Sequence, residues 1–202
     1  MTTIAANGAE RTTATRFVYT SPLFYIATVG EGAGLALWLR FIDAGRLWLA
    51  LACLLAGFAI ERAAVAIWIR RVIEPEAHLP PKPLPVTILG LAFATAVEIA
   101  IWHVWRVSAA HWDVEIAGVL LFFMIHPLHA AEMAGVRRQP VLKFLIRPPT
   151  ILFSFIEAAG GSVWLALVRS DHFGVAVIAL LAALSLEHVF QARELQEQGF
   201  RV

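Results

Sequence analysis

The chain has 202 residues, of which 59% are hydrophobic and 15% are charged, and its mean hydropathy is +0.73. A soluble domain has about 45–50% apolar and about 25% charged residues, so one soluble core of this size cannot bury so much apolar surface. The formal net charge of +1 gives no indication of nucleic-acid binding, and a single cysteine excludes an intramolecular disulfide. The composition therefore predicts an integral membrane protein.

Six hydrophobic segments are long enough to cross a bilayer, which takes about 20 apolar residues in a helix. Prolines cluster before the third and the fifth of these segments, where they end one helix and begin the next. Strand alternation is absent, so the pattern predicts an all-α integral membrane protein with six transmembrane helices. The predicted spans are 22–41, 47–69, 85–105, 114–136, 149–168 and 173–192.

Lysine and arginine are distributed unequally between the two ends of the spans. Eleven of the 16 lie in the N-terminus, the second and fourth loops and the C-terminus, whereas four lie in the odd loops and one, Arg62, inside a span. Because basic residues favour the cytoplasmic side, both termini are expected to be cytoplasmic. We expect a multi-pass protein of the cell inner membrane, with the lipid bilayer as its main partner.

The same pattern divides the chain into three helical hairpins and four connecting or terminal segments. The hairpins are predicted at 21–72, 85–138 and 149–193. The other segments are a polar N-terminus (1–20), a proline-rich loop (73–84), a basic loop (139–148) and a tail (194–202), all predicted to be cytoplasmic.

The three hairpins share one pattern of glutamate, tryptophan and a basic or titratable residue. Tryptophan follows glutamate by seven residues in the pairs Glu31–Trp38, Glu98–Trp105 and Glu157–Trp164. Arg62, His129 and His188 then follow the same glutamates by 31 residues. This period of about 60–67 residues predicts three copies of one hairpin in a bundle with a pseudo-threefold axis. The tryptophans lie toward the non-cytoplasmic ends of their spans and are expected to anchor the protein in the membrane interface.

The repeated ionisable residues lie near mid-membrane depth, where each charge costs at least about 2.5–3.5 kcal/mol. They are therefore expected to face one another inside the bundle, and the glycines and alanines beside Glu31 and Glu157 would allow close helix approach. Glu31 or Glu61 is the expected partner of Arg62. One interpretation is purely structural, with each hairpin closed by its own pair: Glu31 with Arg62, Glu98 with His129 and Glu157 with His188.

Glutamate and histidine together are also typical ligands of iron, zinc or manganese. The fourth span is the densest, with His126, His129 and Glu132 spaced three residues apart on adjoining helix faces. The set resembles the ligand chemistry of helical-bundle two-metal sites, although their Glu-x-x-His order is missing here. We predict metal ligands at Glu98, His126, His129, Glu132, Glu157 and His188, and catalytic roles for Glu31, Arg62, Glu98 and Glu157.

These residues favour an intramembrane enzyme that acts on a small hydrophobic substrate, such as a lipid, an isoprenoid or a quinone-like molecule, by metal-assisted or acid/base chemistry. A proton-coupled transporter that uses the buried pairs as a relay is one alternative. A membrane subunit whose buried pairs are structural is another. A haem protein is disfavoured, because three glutamates are unusual neighbours of a porphyrin; its ligands would be two of His103, His126, His129 and His188.

Overall fold

The computed structural model describes residues 21–74, 80 and 82–197. This part of the chain is all helical, and six of its helices are long and apolar enough to cross a membrane. The six predicted spans and the all-α membrane class are therefore confirmed. The predicted N-terminal segment (1–20) and parts of the proline-rich loop and of the tail lie outside the described residues. The helices are α1 (Pro22–Asp43), α2 (Leu47–Trp68), α3 (Leu84–His111), α4 (Val114–Arg137), α5 (Val141–Leu145), α6 (Pro148–Arg169) and α7 (Phe173–Glu197).

Prolines and positive-φ residues mark where the long helices begin and end. Proline occupies the first turn of α1, α3 and α6, where a missing backbone N–H has no helical partner to lose. Gly45 turns the chain between α1 and α2 with φ +71°, and Arg138 ends α4 with φ +53°. Two short elements were not predicted: α5 lies within the basic loop, and a π-helical segment, Ile69–Ile73, extends α2.

The six long helices follow one another around a common interior. Helix α1 packs on α2, α2 on α3, α3 on α4, α4 on α6, α6 on α7 and α7 on α1, while the short α5 packs on α4 and α6. The second helix of each hairpin therefore contacts the first helix of the next hairpin, and the third hairpin contacts the first. Side chains that project inward from all six helices can meet at one place.

Two buried apolar layers fill this interior. One layer, which we name the tryptophan layer, includes Phe58, Trp102, Trp105 and Trp164 and lies toward the short turns that join α1 to α2, α3 to α4 and α6 to α7. The other includes Phe144 and lies toward the opposite end of the bundle, which carries the basic loops and which we name the basic end. The repeated ionisable residues lie between the two layers in all six helices.

The repeat tryptophans belong to the buried core, so the prediction of interfacial anchoring was wrong. Trp38 is 2% exposed, and Trp105 and Trp164 are fully buried with their rings stacked. A seven-residue spacing places each tryptophan on the same helix face as its glutamate, and that face points inward. The strongly exposed tryptophans are instead Trp48 and Trp112, which lie at the turns.

Helices α1 and α2 approach so closely that neither can carry a side chain at the crossing. A Cβ atom added at Gly34 would lie 2.7 Å from the Cα of Gly57, and one added at Gly57 would lie equally close to the Cα of Gly34. The predicted role of small residues beside Glu31 in close packing is confirmed here. The crossing brings the backbone of α2 against the helix that carries Glu31.

The Gly34→Ala substitution is therefore expected to lower the free energy of unfolding by about 1–3 kcal/mol, because the new methyl group overlaps backbone rather than a flexible side chain. Thermal unfolding in mild detergent measures the effect. Gly174→Ala is the matched control, because a Cβ at Gly174 meets nothing within 4 Å. Equal thermal stability of the two variants would contradict the proposed crossing.

Candidate functional site

A small cavity between the two apolar layers is lined almost entirely by ionisable side chains. Its volume is about 20 Å³, which is above the minimum needed to hold a water molecule. All six long helices contribute, and we name the lining residues the central cluster. They are Glu31 from α1, Glu61 and Arg62 from α2, Glu98 from α3, His129 and Glu132 from α4, Glu157 from α6, and Glu187, His188 and Gln191 from α7.

The three repeat glutamates meet in this cluster. Glu31, Glu98 and Glu157 each place a carboxylate oxygen within 4.8 Å of the other two, and all three side chains are buried. They come from three different hairpins, and each lies near the middle of its helix. The expectation that these residues face one another inside the bundle therefore holds for their geometry.

Arg62 is bound by carboxylates of neighbouring helices. Its two terminal nitrogens donate separately to Glu98 and to Glu132, and its Nε lies 3.9 Å from Glu61 Oε2. The guanidinium is thus shared among three acids, a geometry that its planar fork of donors allows. Of the two partners expected from the sequence, Glu61 is close and Glu31 pairs elsewhere.

His129 is oriented by a hydroxyl group on one side and faces carboxylates on the other. Its Nδ1 lies 2.9 Å from Ser154 Oγ, and the Ser154 hydroxyl donates to the carbonyl of Thr150 at 2.8 Å. Ser154 therefore accepts from Nδ1–H, and the Nε2 atom is directed at Glu157 Oε2, 3.0 Å away. In the neutral ring Nε2 carries a lone pair, which here faces a carboxylate oxygen. A proton or a cation must therefore lie between the two atoms.

His188 has an environment of the same kind. Its Nδ1 lies 2.9 Å from the Thr28 hydroxyl oxygen, and its Nε2 lies 3.5 Å from Glu31 Oε2. Glu61 Oε1 is also near, at 3.9 Å from Nε2. Both histidines thus use Nδ1 to hold the ring on a hydroxyl of the adjoining helix and present Nε2 to the cavity.

Glu187 lies between the two histidines and was not predicted as a site residue. Its Oε1 atom is 4.0 Å from His129 Nε2, and its Oε2 atom is 3.5 Å from His188 Nε2. The side chain is 4% exposed. One carboxylate therefore offers a separate oxygen to each imidazole, which is the geometry of a bridging ligand.

The ion pairs of the three repeat glutamates join neighbouring hairpins, so the interpretation in which each hairpin closes with its own glutamate and basic residue was wrong. The observed partners are Glu31 with His188, Glu98 with Arg62, and Glu157 with His129. The reason is the order of packing, because the second helix of each hairpin lies against the first helix of the next hairpin. Each basic residue meets the glutamate of the following repeat, and the third meets that of the first.

Two other predicted metal ligands have different surroundings. His126 makes contacts of 3.1 Å with Ser154 Oγ and 3.0 Å with the Leu145 carbonyl, and its ring stacks on Phe122 outside the cavity. Glu132 lines the cavity but is paired with Arg62.

His103, one of the four histidines considered for haem, is exposed on the outer face of α3. His129 and His188 share a cavity far too small for a porphyrin.

The central cluster contains more acids than bases. Six glutamates line the cavity with one arginine and two histidines, so three negative charges remain even with both imidazoles protonated. Glu157 Oε1 is buried without a hydrogen-bond partner among the described residues. Uncompensated charge at this depth is costly. The cluster therefore requires additional protons or bound cations.

Among the described residues, three groups of three have the geometry to hold a metal ion, and two of these groups contain a histidine. One consists of Glu31, Glu187 and His188, and the other of His129, Glu157 and Glu187; within each, the ligand atoms lie within 4.8 Å of one another. The two groups share Glu187. With Glu98 beside Glu31 and Glu157, the set reaches four carboxylates and two histidines, which is typical of di-iron and di-manganese helical bundles.

Comparisons with protein-family models, with curated proteins and with solved structures found no match to this chain.

Proposed function

We propose that the protein is an intramembrane metalloenzyme that uses a two-metal centre of iron, manganese or zinc to act on a lipophilic substrate. The observation that carries this proposal is the position of Glu187. It offers one oxygen to the group with His129 and Glu157 and the other to the group with His188 and Glu31. Both histidines contact a hydroxyl group through Nδ1, and metal-binding histidines usually hydrogen-bond through the ring nitrogen that does not bind the metal.

The charge of the cluster favours metal binding over a purely structural role. A set of structural pairs would need acids and bases in similar number, whereas six carboxylates face one arginine and two histidines. Two divalent ions would offset four of these negative charges, and Arg62 offsets a fifth. The Nε2 atoms would then act as ligands rather than as lone pairs opposed to oxygen.

The residues around the centre would have different roles. The two histidines, Glu31, Glu157 and Glu187 would hold the metals, which supply Lewis-acid or redox chemistry. Arg62 is a positioning residue, since it holds Glu98 and Glu132 and keeps a fixed positive charge beside the centre. Glu98 lies within reach of both Glu31 and Glu157 and would complete the ligand set.

The packing on the two sides of the cluster favours an enzyme over a transporter. On one side, Trp102, Trp105 and Trp164 are fully buried and pack against one another. A transport path would have to pass through this layer. On the other side, the cluster borders a groove that begins at Glu61, Arg62 and Glu132. Access from one side alone suits a substrate that enters and leaves within the same leaflet.

We further propose that the bundle is a pseudo-threefold repeat with its basic end at the cytoplasmic face of the inner membrane. Buried residues at equivalent positions support the repeat. A hydroxyl residue precedes each repeat glutamate by three positions, and a leucine precedes each basic residue by eight. The hydroxyl residues are Thr28, Thr95 and Ser154, and the leucines are Leu54, Leu121 and Leu180. In the second and third copies the basic residue is a histidine, and its ring contacts the hydroxyl residue of the next hairpin. In the first copy the basic residue is Arg62.

Elemental analysis of protein purified in mild detergent tests the metal centre. We expect about two iron, manganese or zinc ions per chain, in line with the four-carboxylate, two-histidine ligand set. Visible absorption and electron paramagnetic resonance then distinguish iron and manganese from zinc. Preparations without stoichiometric metal, obtained from cells supplied with all three metals, would contradict the proposal. Proton-dependent flux of solute in liposomes would favour the transporter instead.

A further inference from the structure

A groove of about 400 Å³ runs from the central cluster toward the basic end. Helices α2, α3, α4 and α7 line it, and most of its surface is apolar, with Val65, Ile69, Leu91, Ala94, Leu128 and Val136 among its walls. Several residues of the α3 wall are exposed, including Val86 and Phe93, so the groove opens sideways between α2 and α3. In a membrane this opening faces the lipid.

The groove has a cationic mouth and a polar inner end. Arg70 and Lys82 line the mouth, and their hydrogen bonds go to uncharged oxygens among the described residues: those of Thr87, of the Lys82 backbone and of the Gly135 backbone. Among the described residues that line the groove, Glu74 is the one acid at the mouth. Two cations at the membrane surface above an apolar channel fit an amphiphile with an anionic head group.

The inner end of the groove is shared with the metal-binding cavity. Among the described residues, Glu61, Arg62, Glu132 and Gln191 line both spaces and form the boundary between the groove and the cavity. Arg70 follows Arg62 by eight residues in the chain, which corresponds to about 12 Å along a helix. A molecule with its head group at Arg70 would therefore place its chain, not its head, beside the cluster.

Two backbone features lie along the groove. The π-helical segment Ile69–Ile73 changes the helical register of α2 at the mouth, and such segments occur frequently at functional sites. Gly90 on α3 and Gly135 on α4 both line the groove, and a Cβ added at either meets nothing within 4 Å. These glycines therefore border open space, in contrast to Gly34 and Gly57, which border another helix.

We infer that this groove binds a lipid with an anionic head group, and that this lipid is the substrate, with a bond of its hydrocarbon chain presented to the central cluster. The assignment of the lipid as substrate rests on the proposed function; the binding site itself does not. Arg70 and Lys82 would hold the head group, the apolar walls would hold the chain, and Arg62 would mark the end of the groove nearest the metals.

Lipid retention, measured by native mass spectrometry, tests the inference. The protein is equilibrated with dioleoyl phosphatidylglycerol or dioleoyl phosphatidylcholine, which share their chains, and is then transferred to lipid-free mild detergent. We expect the wild type to retain phosphatidylglycerol at least about tenfold better than phosphatidylcholine, as an energy difference of about 1.4 kcal/mol would give. Arg70→Gln/Lys82→Gln should remove this preference. Gly90→Leu should reduce retention of both lipids, whereas Gly174→Leu, which also enters open space but lies outside the groove, should retain the wild-type pattern.

Metal content is measured on the same preparations, so that the two proposals can fail separately. Equal retention of both lipids by the wild type, or undiminished retention by Gly90→Leu, overturns the groove inference whatever the metal content. Selective retention together with absent metal supports the lipid site and overturns its role as a substrate site. Loss of lipid in Gly90→Leu with metal content unchanged supports the inference and shows that the variant has folded around an intact cluster.

Discussion

The Glu187→Gln variant is expected to lose both metal ions, with metal content falling from about two ions per chain to less than about half an ion. The substitution conserves shape and removes one negative charge. Its effect is large because the side chain faces both histidines, with Oε1 toward His129 and Oε2 toward His188. An amide cannot bridge two cations as a carboxylate does. Elemental analysis of the purified variant, with unfolding measured in parallel, gives the result.

Glu132→Gln is the matched control within the same cluster. Glu132 lines the same cavity, but its partner is Arg62, and it belongs to none of the groups of metal-binding geometry. We expect this variant to retain its metal. A second matched pair is His129→Ala, which should lose metal, and His126→Ala, whose ring lies outside the cavity. Equal metal content in Glu187→Gln and Glu132→Gln would mean that Glu187 does not bridge.

The helices and the meeting of the glutamates were predictable because the bilayer imposes both. Long apolar runs without interruption must form helices in lipid, and charges at mid-depth must face inward. Glu31, Glu98 and Glu157 follow from this constraint alone, and they meet within 4.8 Å. The prediction for the tryptophans failed because it considered how deep they lie in the membrane and not which face of the helix carries them. Trp105 and Trp164 share a face with a buried glutamate and are fully buried.

The pairing of acids with bases was not predictable from local sequence, because it depends on which hairpin lies next to which. A glutamate and a basic residue 31 positions later lie on two helices that are joined by a tight turn, which made a pair within the hairpin the simplest interpretation. The observed pairs instead cross from one hairpin to the next. Such contacts are decided by the order of helices around the bundle, and hydropathy contains no information about that order.

Two sets of functional residues were missed for different reasons. Thr28 and Ser154 hold the histidine rings, and a signal for them exists, since a hydroxyl residue stands three positions before every repeat glutamate. The signal for Glu187 is weaker, because its position does not carry a glutamate in every hairpin. The residue before the basic position is Glu61 in the first hairpin, Leu128 in the second and Glu187 in the third, so a glutamate recurs at this position in only two of the three hairpins. The proposed two-metal centre would require such a departure from threefold symmetry.

Loss of the single fixed cation in the cluster is expected to be strongly destabilising. Arg62→Met removes the partner of Glu98, which stays buried, and of Glu132, which is half-buried. Breaking one side of a buried ion pair costs about 3–5 kcal/mol, because an uncompensated charge is left behind. Denaturation by sodium dodecyl sulfate in mixed micelles, followed by circular dichroism, measures the free energy of unfolding. Arg106→Met is the control, because its pair with Asp43 at 2.7 Å is largely exposed and is expected to contribute less than about 1 kcal/mol.

The double variant Arg62→Met/Glu132→Met separates charge balance from packing. It restores the net charge of the cluster and replaces a buried ion pair by two apolar side chains of similar length, an exchange that is often neutral. Part of the stability lost in Arg62→Met should therefore return, although Glu98 still lacks its partner, and metal content should stay near the wild-type level because neither residue belongs to the metal-binding groups. A double variant less stable than Arg62→Met alone would contradict this explanation. It would mean that Arg62 stabilises the bundle through its shape and packing, and not by offsetting negative charge in the cluster.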